Sequence, residues 1–573
     1  MSLVTSMESI SELAKSWDTH AVSPAENRYD IVVTRGNLLT IVAELLRTRW
    51  GFLTAITARD VSTASGSAPG KEGEIPADRH FEIYYHFCRG PAVLTLRLSL
   101  PHEKPSVPSI CGILPSASIQ ERELAETFGI EVEGLPKAGR LFLSDDWPAG
   151  LYPLRKDTTP QSIRDFTAVA PPPPATVEND ATPGKFTVPI GPQHPALKEP
   201  AHFELNVDGE IVTGVSLRLG YVHRGIEKAA EGRPWVQNLY LMERVCGICS
   251  HIHSMAYALG VETVAGIAAP PRAQAIRVLI AEMERIHSHL LWLGVAAHEA
   301  GFDTLFMYTW RDRETIMDLL EQVTGNRVNY SVNLLGGVKY DVDPSRADAI
   351  RRGLDRLEPR INHYLGIVTT DESFLRRTRG IGVFSTDQAD FLGVVGPTLR
   401  ASNVHRDVRV DAPYSAYRDF PVTPVYDDAC DLAARVTVRV KELQESCRLV
   451  RAVLDALPPG DRAVDFPRRV PEGEAIIRVE APRGELFYYV RSAGGISPDR
   501  VKIRTPSLAN WAYVMSVAVG HKLADIPMIV VGIDPCFSCN DRTFLIRQGD
   551  RKGILGWDDL RRYAMQRYGR RAE

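Results

Sequence analysis

The chain has 573 residues, 44% of them hydrophobic and 24% charged, with a formal net charge of −4, and this length exceeds what a single hydrophobic core usually supports. So even a charge balance gives no electrostatic footprint for DNA or RNA, which excludes nucleic acid as an expected partner. The opening MSLVTSMESISELAKSWD lacks the basic and apolar segments of a secretory signal, and no later run approaches the roughly 18 apolar residues of a membrane span, so a soluble, cytoplasmic protein is expected.

In chain order, residues 37–50 (NLLTIVAELLRTRW) place apolar side chains at helical spacing and predict an amphipathic helix. Segments 81–88 (FEIYYHFC) and 92–100 (AVLTLRLSL) alternate on either side of Arg89-Gly90-Pro91 and predict a hairpin, which makes residues 1–165 an α+β domain. Ala170-Pro171-Pro172-Pro173-Pro174 and the polar residues after it give 166–184 the stiff composition of a linker. Beyond it, 202–219 alternates around Asp208-Gly209, a strong hairpin signal, and 234–260, 272–300 and 427–457 carry helical periodicity, the last ended by Pro458-Pro459-Gly460. The expectation is two domains, the second (185–542) mainly α-helical with peripheral β-hairpins and followed by a C-terminal extension, 543–573.

Eight cysteines are far too few for a disulfide scaffold, yet four of them form two CxxC pairs, Cys246/Cys249 and Cys536/Cys539, which point to metal or redox chemistry. Thiolates are soft ligands that suit zinc, an iron-sulfur cluster, or nickel and iron. A structural zinc site is the plainest reading. Against it stand the offset of 290 residues from one pair to the other, where zinc ribbons leave only about 15–20 residues between theirs, and the helix-forming surroundings of the first pair. Cys430 and Cys447, expected in one helix, and Cys88 and Cys111, in the first domain, read as buried hydrophobes. His287 and His289 are spaced i,i+2, do not share a helix face, and read as packing or surface residues.

RVCGICSHIH, from Arg244 to His253, resembles the RxCGxCxxxH signature of nickel-iron hydrogenase large subunits, and DPCFSC, from Asp534 to Cys539, resembles their second signature, DPCxxC. The resemblance implies a Ni-Fe(CN)2(CO) centre, with Cys246 and Cys536 terminal on nickel and Cys249 and Cys539 bridging to iron. Glu480-Ala481-Pro482-Arg483-Gly484 resembles the EAPRG segment whose arginine overhangs the metals in that family. Arg483 is thereby expected to act as a positioned cation rather than a conventional base, since a guanidinium effectively keeps its proton, with Asp534 as its carboxylate neighbour. Pro482, His253 and Ser507 are the further residues expected at the cofactor. Asp303, in GFDT, is either part of this canopy or a helix cap.

GPQHPALKEP, from Gly191 to Pro200, resembles the start of the catalytic domain in membrane-bound, energy-converting hydrogenases, which implies that Glu199 is the first proton acceptor. In the first domain, ERELAETFGI (121–130), RLFL (140–143) and PLRKD (153–157) resemble a peripheral-arm subunit of respiratory complex I. The rival function is therefore a fused complex I subunit that lines a quinone site without metal; that subunit lacks both CxxC pairs, and this chain has both. Fusion of the two domains with the cysteines intact resembles the formate hydrogenlyase type, and implies reversible proton reduction running towards hydrogen.

No cysteines remain for an electron relay within the chain, so the resemblance implies a small subunit carrying a [4Fe-4S] cluster, other hydrophilic iron-sulfur subunits, and integral membrane subunits that hold the complex to the cytoplasmic face of the membrane. A formate dehydrogenase, nickel chaperones and a maturation protease complete the implied partners. That protease is expected to cut after Arg542. The intact mass of the mature, nickel-loaded subunit tests this: residues 543–573 should be missing, and a full-length active chain refutes the processing.

Overall fold

Alternating apolar segments near the N-terminus assemble, in the computed structural model, into a five-stranded sheet. The structure describes residues 10–15, 17, 21–61, 79–136, 140–143, 147–159, 184–194 and 197–540. All but the last residue of the expected linker, and the whole C-terminal extension, lie outside the described residues. Strands β1 (Ala21–Ala25), β2 (Arg28–Val33), β3 (Phe52–Val61), β4 (His80–Arg89) and β5 (Ala92–Pro101) lie in the order β1-β2-β5-β4-β3, with β2 and β5 parallel and the other pairs antiparallel. The expected hairpin is β4–β5, closed by Arg89 opposite Ala92. Helix α1 (Leu38–Arg47) buries Leu38, Ile41, Val42 and Leu45, the stripe its periodicity predicts, and α2 (Ala117–Phe128) ends at Gly129.

The next three strands, β6 (Lys185–Ile190), β7 (His202–Asp208) and β8 (Ile211–Arg218), form an antiparallel sheet that contains the expected hairpin at Asp208-Gly209. The stretch 234–260 is two helices, α3 (Trp235–Glu243) and α4 (Ser250–Ala265), and the first cysteine pair occupies the turn between them rather than a helix. Helix α5 (Pro271–Glu299) is buried on almost every face and forms the axis of the body, between α6 (Asp303–Thr324) and α8 (Leu432–Asp455), with α7 (Pro344–Thr370) packed outside them. Helix α8 starts later than its periodicity suggests. Asp431 caps it by accepting from the Ala434 N–H at 2.9 Å, and Cys430 precedes the cap in the left-handed region (φ 61°), so Cys430 and Cys447 do not share a helix. Among the described residues no helix is long and apolar enough to cross a membrane.

One interior element is not foreseen from the sequence. Strands β9 (Glu472–Ala481), β10 (Gly484–Ala493) and β11 (Arg500–Arg504) form a sheet whose inner face packs on α4, Tyr488 and Val490 joining the cluster that contains the CxxC cysteines. Its other side meets the N-terminal sheet, where Phe487 and Tyr489 cluster with Ala55 and Tyr84 and polar bonds flank them. There the Arg500 Nε donates to the Ala58 carbonyl at 3.0 Å, the Arg504 Nε to the Thr54 carbonyl at 2.7 Å, and Lys502 pairs with Glu123 at 2.7 Å.

Behind the β9–β10 turn lies a buried set of charges. Arg400 pairs with Glu480 and Glu442, both at 2.8 Å, while Arg409 bridges Glu282 at 3.1 Å and Asp407 at 2.7 Å. Burial works against the charge of Glu282, yet Arg285 and Arg409 outweigh it and hold the carboxyl down to about 2. Arg285 also donates to the main-chain carbonyls of Glu480 (2.7 Å) and Ala481 (3.1 Å), anchoring the strand end that leads to Arg483.

The turn after that strand end is fixed by a close backbone approach. Gly396 (φ 69°) lies so near it that a Cβ there would sit 2.3 Å from the Gly484 Cα and 2.5 Å from the Arg483 carbonyl oxygen. Gly396→Ala is therefore expected to destabilise the protein by at least about 2 kcal/mol, from left-handed strain and overpacking together. Thermal unfolding followed by fluorescence should show a midpoint several degrees lower; an unchanged midpoint refutes the tight approach.

Candidate metal centre

The first cysteine loop is shaped by main-chain donors. As the chain leaves α3 and turns into α4, the N–H groups of Ile248 and Cys249 point at the Cys246 sulfur, 3.4 and 3.3 Å away, an arrangement that favours a thiolate at Cys246. Glu284, reaching across from α5, accepts from the N–H groups of His251 (2.7 Å) and Ile252 (3.2 Å) and so satisfies the open first turn of α4. Burial pushes the Glu284 carboxyl well above the usual range.

The second loop follows α10 (Ile526–Val531), with α9 (Pro506–Val517) beside it and the short helix α11 (Phe537–Asn540) beyond. Asp534 is held in the left-handed region (φ 53°), unusual for a residue other than glycine. Arg483 holds it there: Nε donates to the Asp534 carbonyl at 2.8 Å and Nη2 to its Oδ1 at 3.0 Å. The Cys536 N–H donates to Ser507 Oγ at 3.2 Å, so Ser507 touches the loop of a cysteine as well as opening α9. Ser538 donates to Glu199 twice, from N–H at 2.9 Å and from its hydroxyl.

Folding brings the two loops into contact. Cys246 Sγ lies 3.4 Å from Cys536 Sγ, and Cys249 Sγ lies 3.7 Å from Cys539 Sγ, so each close pair takes one sulfur from each loop. All four are buried, and the ligand atoms of Cys246, Cys249 and Cys539 lie within 4.8 Å of one another. Hydrogen bonds from the other three thiols pull Cys246 well below the ordinary thiol range; the same bond to Cys246 pushes Cys249 and Cys536 well above it, and burial does so for Cys539. Four buried sulfurs this close together cannot all be ionised without cations between them.

Above the sulfurs, burial opposes the charge of Arg483, but Asp534 and then the sulfurs of Cys536, Cys249 and Cys246 outweigh it and keep the guanidinium firmly protonated. Arg483 Nη1 and Asp534 Oδ2 are buried without a hydrogen-bond partner among the described residues. A buried polar group left so is costly. Four soft donors beneath one orphan donor and one orphan acceptor fit a thiolate-bound metal centre that carries its own polar ligands.

His253, in the first turn of α4, places Nδ1 2.8 Å from the Tyr488 hydroxyl and Nε2 3.8 Å from Cys539 Sγ, so it reaches the cluster edge. Pro482 is buried in the β9–β10 turn next to Arg483. Asp303 does not join the canopy. It is exposed at the start of α6 and pairs with His298 at 2.7 Å, which settles its two readings in favour of a surface role. His287 and His289 are both buried, against the Tyr330 hydroxyl at 3.0 Å and Glu442 at 2.8 Å, as packing residues. Cys447 and Cys88 are buried as expected, while Cys111 and Cys430 are partly exposed.

Three residues at the site carry no sequence signal. Tyr488 orients His253, Glu284 caps α4, and Arg224 donates to the main-chain carbonyls of Arg244, Val245 (2.8 Å) and Ser538 (3.1 Å). Helical periodicity marks Glu284 only as a position on α5, and carbonyl partners such as those of Arg224 belong to every residue type.

Comparison with known proteins agrees with this geometry. Residues 224–295 match the nickel-dependent hydrogenase family, 31–163 match the 30 kDa subunit of the respiratory-chain NADH dehydrogenase, and 299–470 with 462–542 match its 49 kDa subunit. Formate hydrogenlyase subunit 5 of Escherichia coli (strain K12) is 36% identical over 503 residues, 85% of this chain and 87% of its own. The carbon monoxide-induced hydrogenase of Rhodospirillum rubrum is 40% identical over 358 residues, 62% of this chain and 99% of its own. A chain from the structure of the membrane-bound sulfane sulfur reductase, an archaeal respiratory membrane complex, superposes with a TM-score of 0.61 at 34% identity, covering 63% of this chain and 100% of that one. With the two cysteine loops closed on each other and relatives matched over nearly their full length, the chain belongs to the family of energy-converting hydrogenase large subunits related to respiratory complex I.

Proposed function

We propose that this chain catalyses reversible proton reduction at a nickel-iron centre, running towards hydrogen evolution within a formate hydrogenlyase-type membrane complex. The carrying observation is the group of four adjoining buried sulfurs beneath the orphan atoms of Arg483 and Asp534. Cys246, Cys249, Cys536 and Cys539 would hold the nickel and iron, and Arg483, Pro482 and Ser507 would lie beside the cyanide and carbon monoxide ligands of such a centre. When bound, the two metals supply the redox chemistry by which protons and electrons become hydrogen.

The protein's own groups manage charge and protons around them. Arg483 presents a fixed cation and Asp534 an acceptor in a site closed to water, where such interactions are stronger than in solution. His253, held by Tyr488, touches the Cys539 sulfur. Glu199 is half-buried, bonded to the hydroxyl and N–H of Ser538, and lines a cavity of about 450 Å³ with His194 and Lys198. That arrangement suits a carboxylate that exchanges protons between the second cysteine loop and the cavity. A metal-free quinone-site role leaves the clustered thiols and the orphan atoms without a purpose.

We assign residues 1–165 and 185–542 to two domains joined by the proline-rich linker, the second being catalytic. Electrons would pass to a small subunit with a [4Fe-4S] cluster, and membrane subunits would hold the chain peripherally at the cytoplasmic face, in keeping with relatives whose names place them in membrane-bound complexes.

Two measurements test the reading. Metal analysis and infrared spectroscopy of the purified complex should give nickel and iron with cyanide and carbonyl bands; zinc alone, without those bands, overturns it. Glu199→Gln should retain nickel while slowing hydrogen evolution roughly 10²-fold or more, with Glu199→Asp intermediate. An unaffected Gln variant places the proton path elsewhere.

A further inference from the structure

Arg224 lies outside both cysteine motifs, yet its guanidinium touches the main chain of each. It donates to the carbonyls of Arg244 and Val245, the two residues immediately before Cys246, and to that of Ser538, immediately before Cys539. These loops are 290 residues apart in sequence, and among the described residues no other side chain bonds to the backbone of both, apart from the contacts of the sulfurs themselves. The arginine is half-buried, follows His223 and precedes the short helix Ile226–Glu231. Among the described residues none of its contacts is to a carboxylate, and the charge is committed to three carbonyl oxygens.

We propose that Arg224 is a positioning residue that staples the two cysteine loops in register and preorganises the four-sulfur site. The planar guanidinium can serve several acceptors at fixed angles, whereas a lysine ammonium is a point charge that cannot span both loops in the same way. Ser538 is then held from two sides, its carbonyl by Arg224 and its N–H and hydroxyl by Glu199, which fixes the residue between Cys536 and Cys539. Loss of the staple frees one loop relative to the other and relaxes the sulfur spacing. Because groups around a metal site orient its ligands, the effect should be read in metal retention as well as in turnover.

This inference rests on the nickel-iron reading of the four cysteines, and two experiments separate its failure from the failure of that reading. In the purified complex, nickel release to EDTA should be about tenfold or more faster for Arg224→Ala than for the wild type, with Arg224→Lys in between, and the infrared bands of the remaining centre should shift or broaden. In the full chain produced without nickel and oxidised with diamide, the Cys246–Cys536 disulfide, mapped by peptide mass, should form more slowly in both variants. Arg224→Lys keeps the charge and stem and carries the test if the alanine variant fails to fold. Wild-type release and wild-type cross-linking rates in the variants overturn the staple. A wild-type complex devoid of nickel overturns the function instead, and the cross-linking rate still reports on Arg224.

Discussion

Four sulfur atoms at van der Waals distance cannot all be negative in a buried site by themselves. At the 3.4 Å between Cys246 and Cys536, two unit charges repel by about 5 kcal/mol even at an effective dielectric near 20, and four thiolates contain several such pairs. Their sum rivals the whole stability of a folded domain, which is about 5–15 kcal/mol. The arrangement around the sulfurs answers this constraint. Main-chain N–H groups face Cys246, the Arg483 cation lies over the cluster, and the β9–β10 hairpin holds that cation by its backbone rather than leaving it on a loop.

The positions of the side chains assigned to the site were legible because they sit in short contiguous motifs. Cys246, Cys249, Cys536, Cys539, Arg483, Asp534 and Glu199 are all found at the site, and the structure adds how the sulfurs pair across the loops. Periodicity was a poorer guide where a functional turn interrupts helix-forming sequence: residues 234–260 read as one stretch although the cysteines break it, and Cys430 fell outside a helix because Asp431 caps it. Asp303 illustrates the limit of a motif too short to distinguish a cap from a canopy. Arg224 and Tyr488 act through partners far away in sequence, and no local pattern encodes such contacts.

Matches to a nickel-dependent hydrogenase family and to two subunits of a respiratory NADH dehydrogenase along one chain show a scaffold that has served more than one chemistry. The buried charges explain how the scaffold stays rigid independently of what it holds. Arg400, Arg409, Glu282, Glu442 and Glu480 pair with one another behind the hairpin, and because each arginine has more than one carboxylate, loss of one partner weakens the network without stripping either cation of its last counter-charge. Specific chemistry is then left to a few side chains at the loops. The seam to the N-terminal sheet gives that part a structural share in the site, since it bonds to β11 and packs Ala55 and Tyr84 on Phe487 and Tyr489 of β10, on the face opposite α4.

The long separation of the cysteine loops also has a meaning in time. A ribosome adding roughly 5–20 residues per second needs about 15–60 s to pass from Cys246 to Cys536. Throughout that interval the first loop exists as a half-site with two thiols and no counterpart, and for most of it β9–β11, which supply its arginine roof, are not yet made. The nascent chain therefore presents a two-cysteine loop to the cell's metal pool well before it can present four, and discrimination between metals waits for the second cysteine loop.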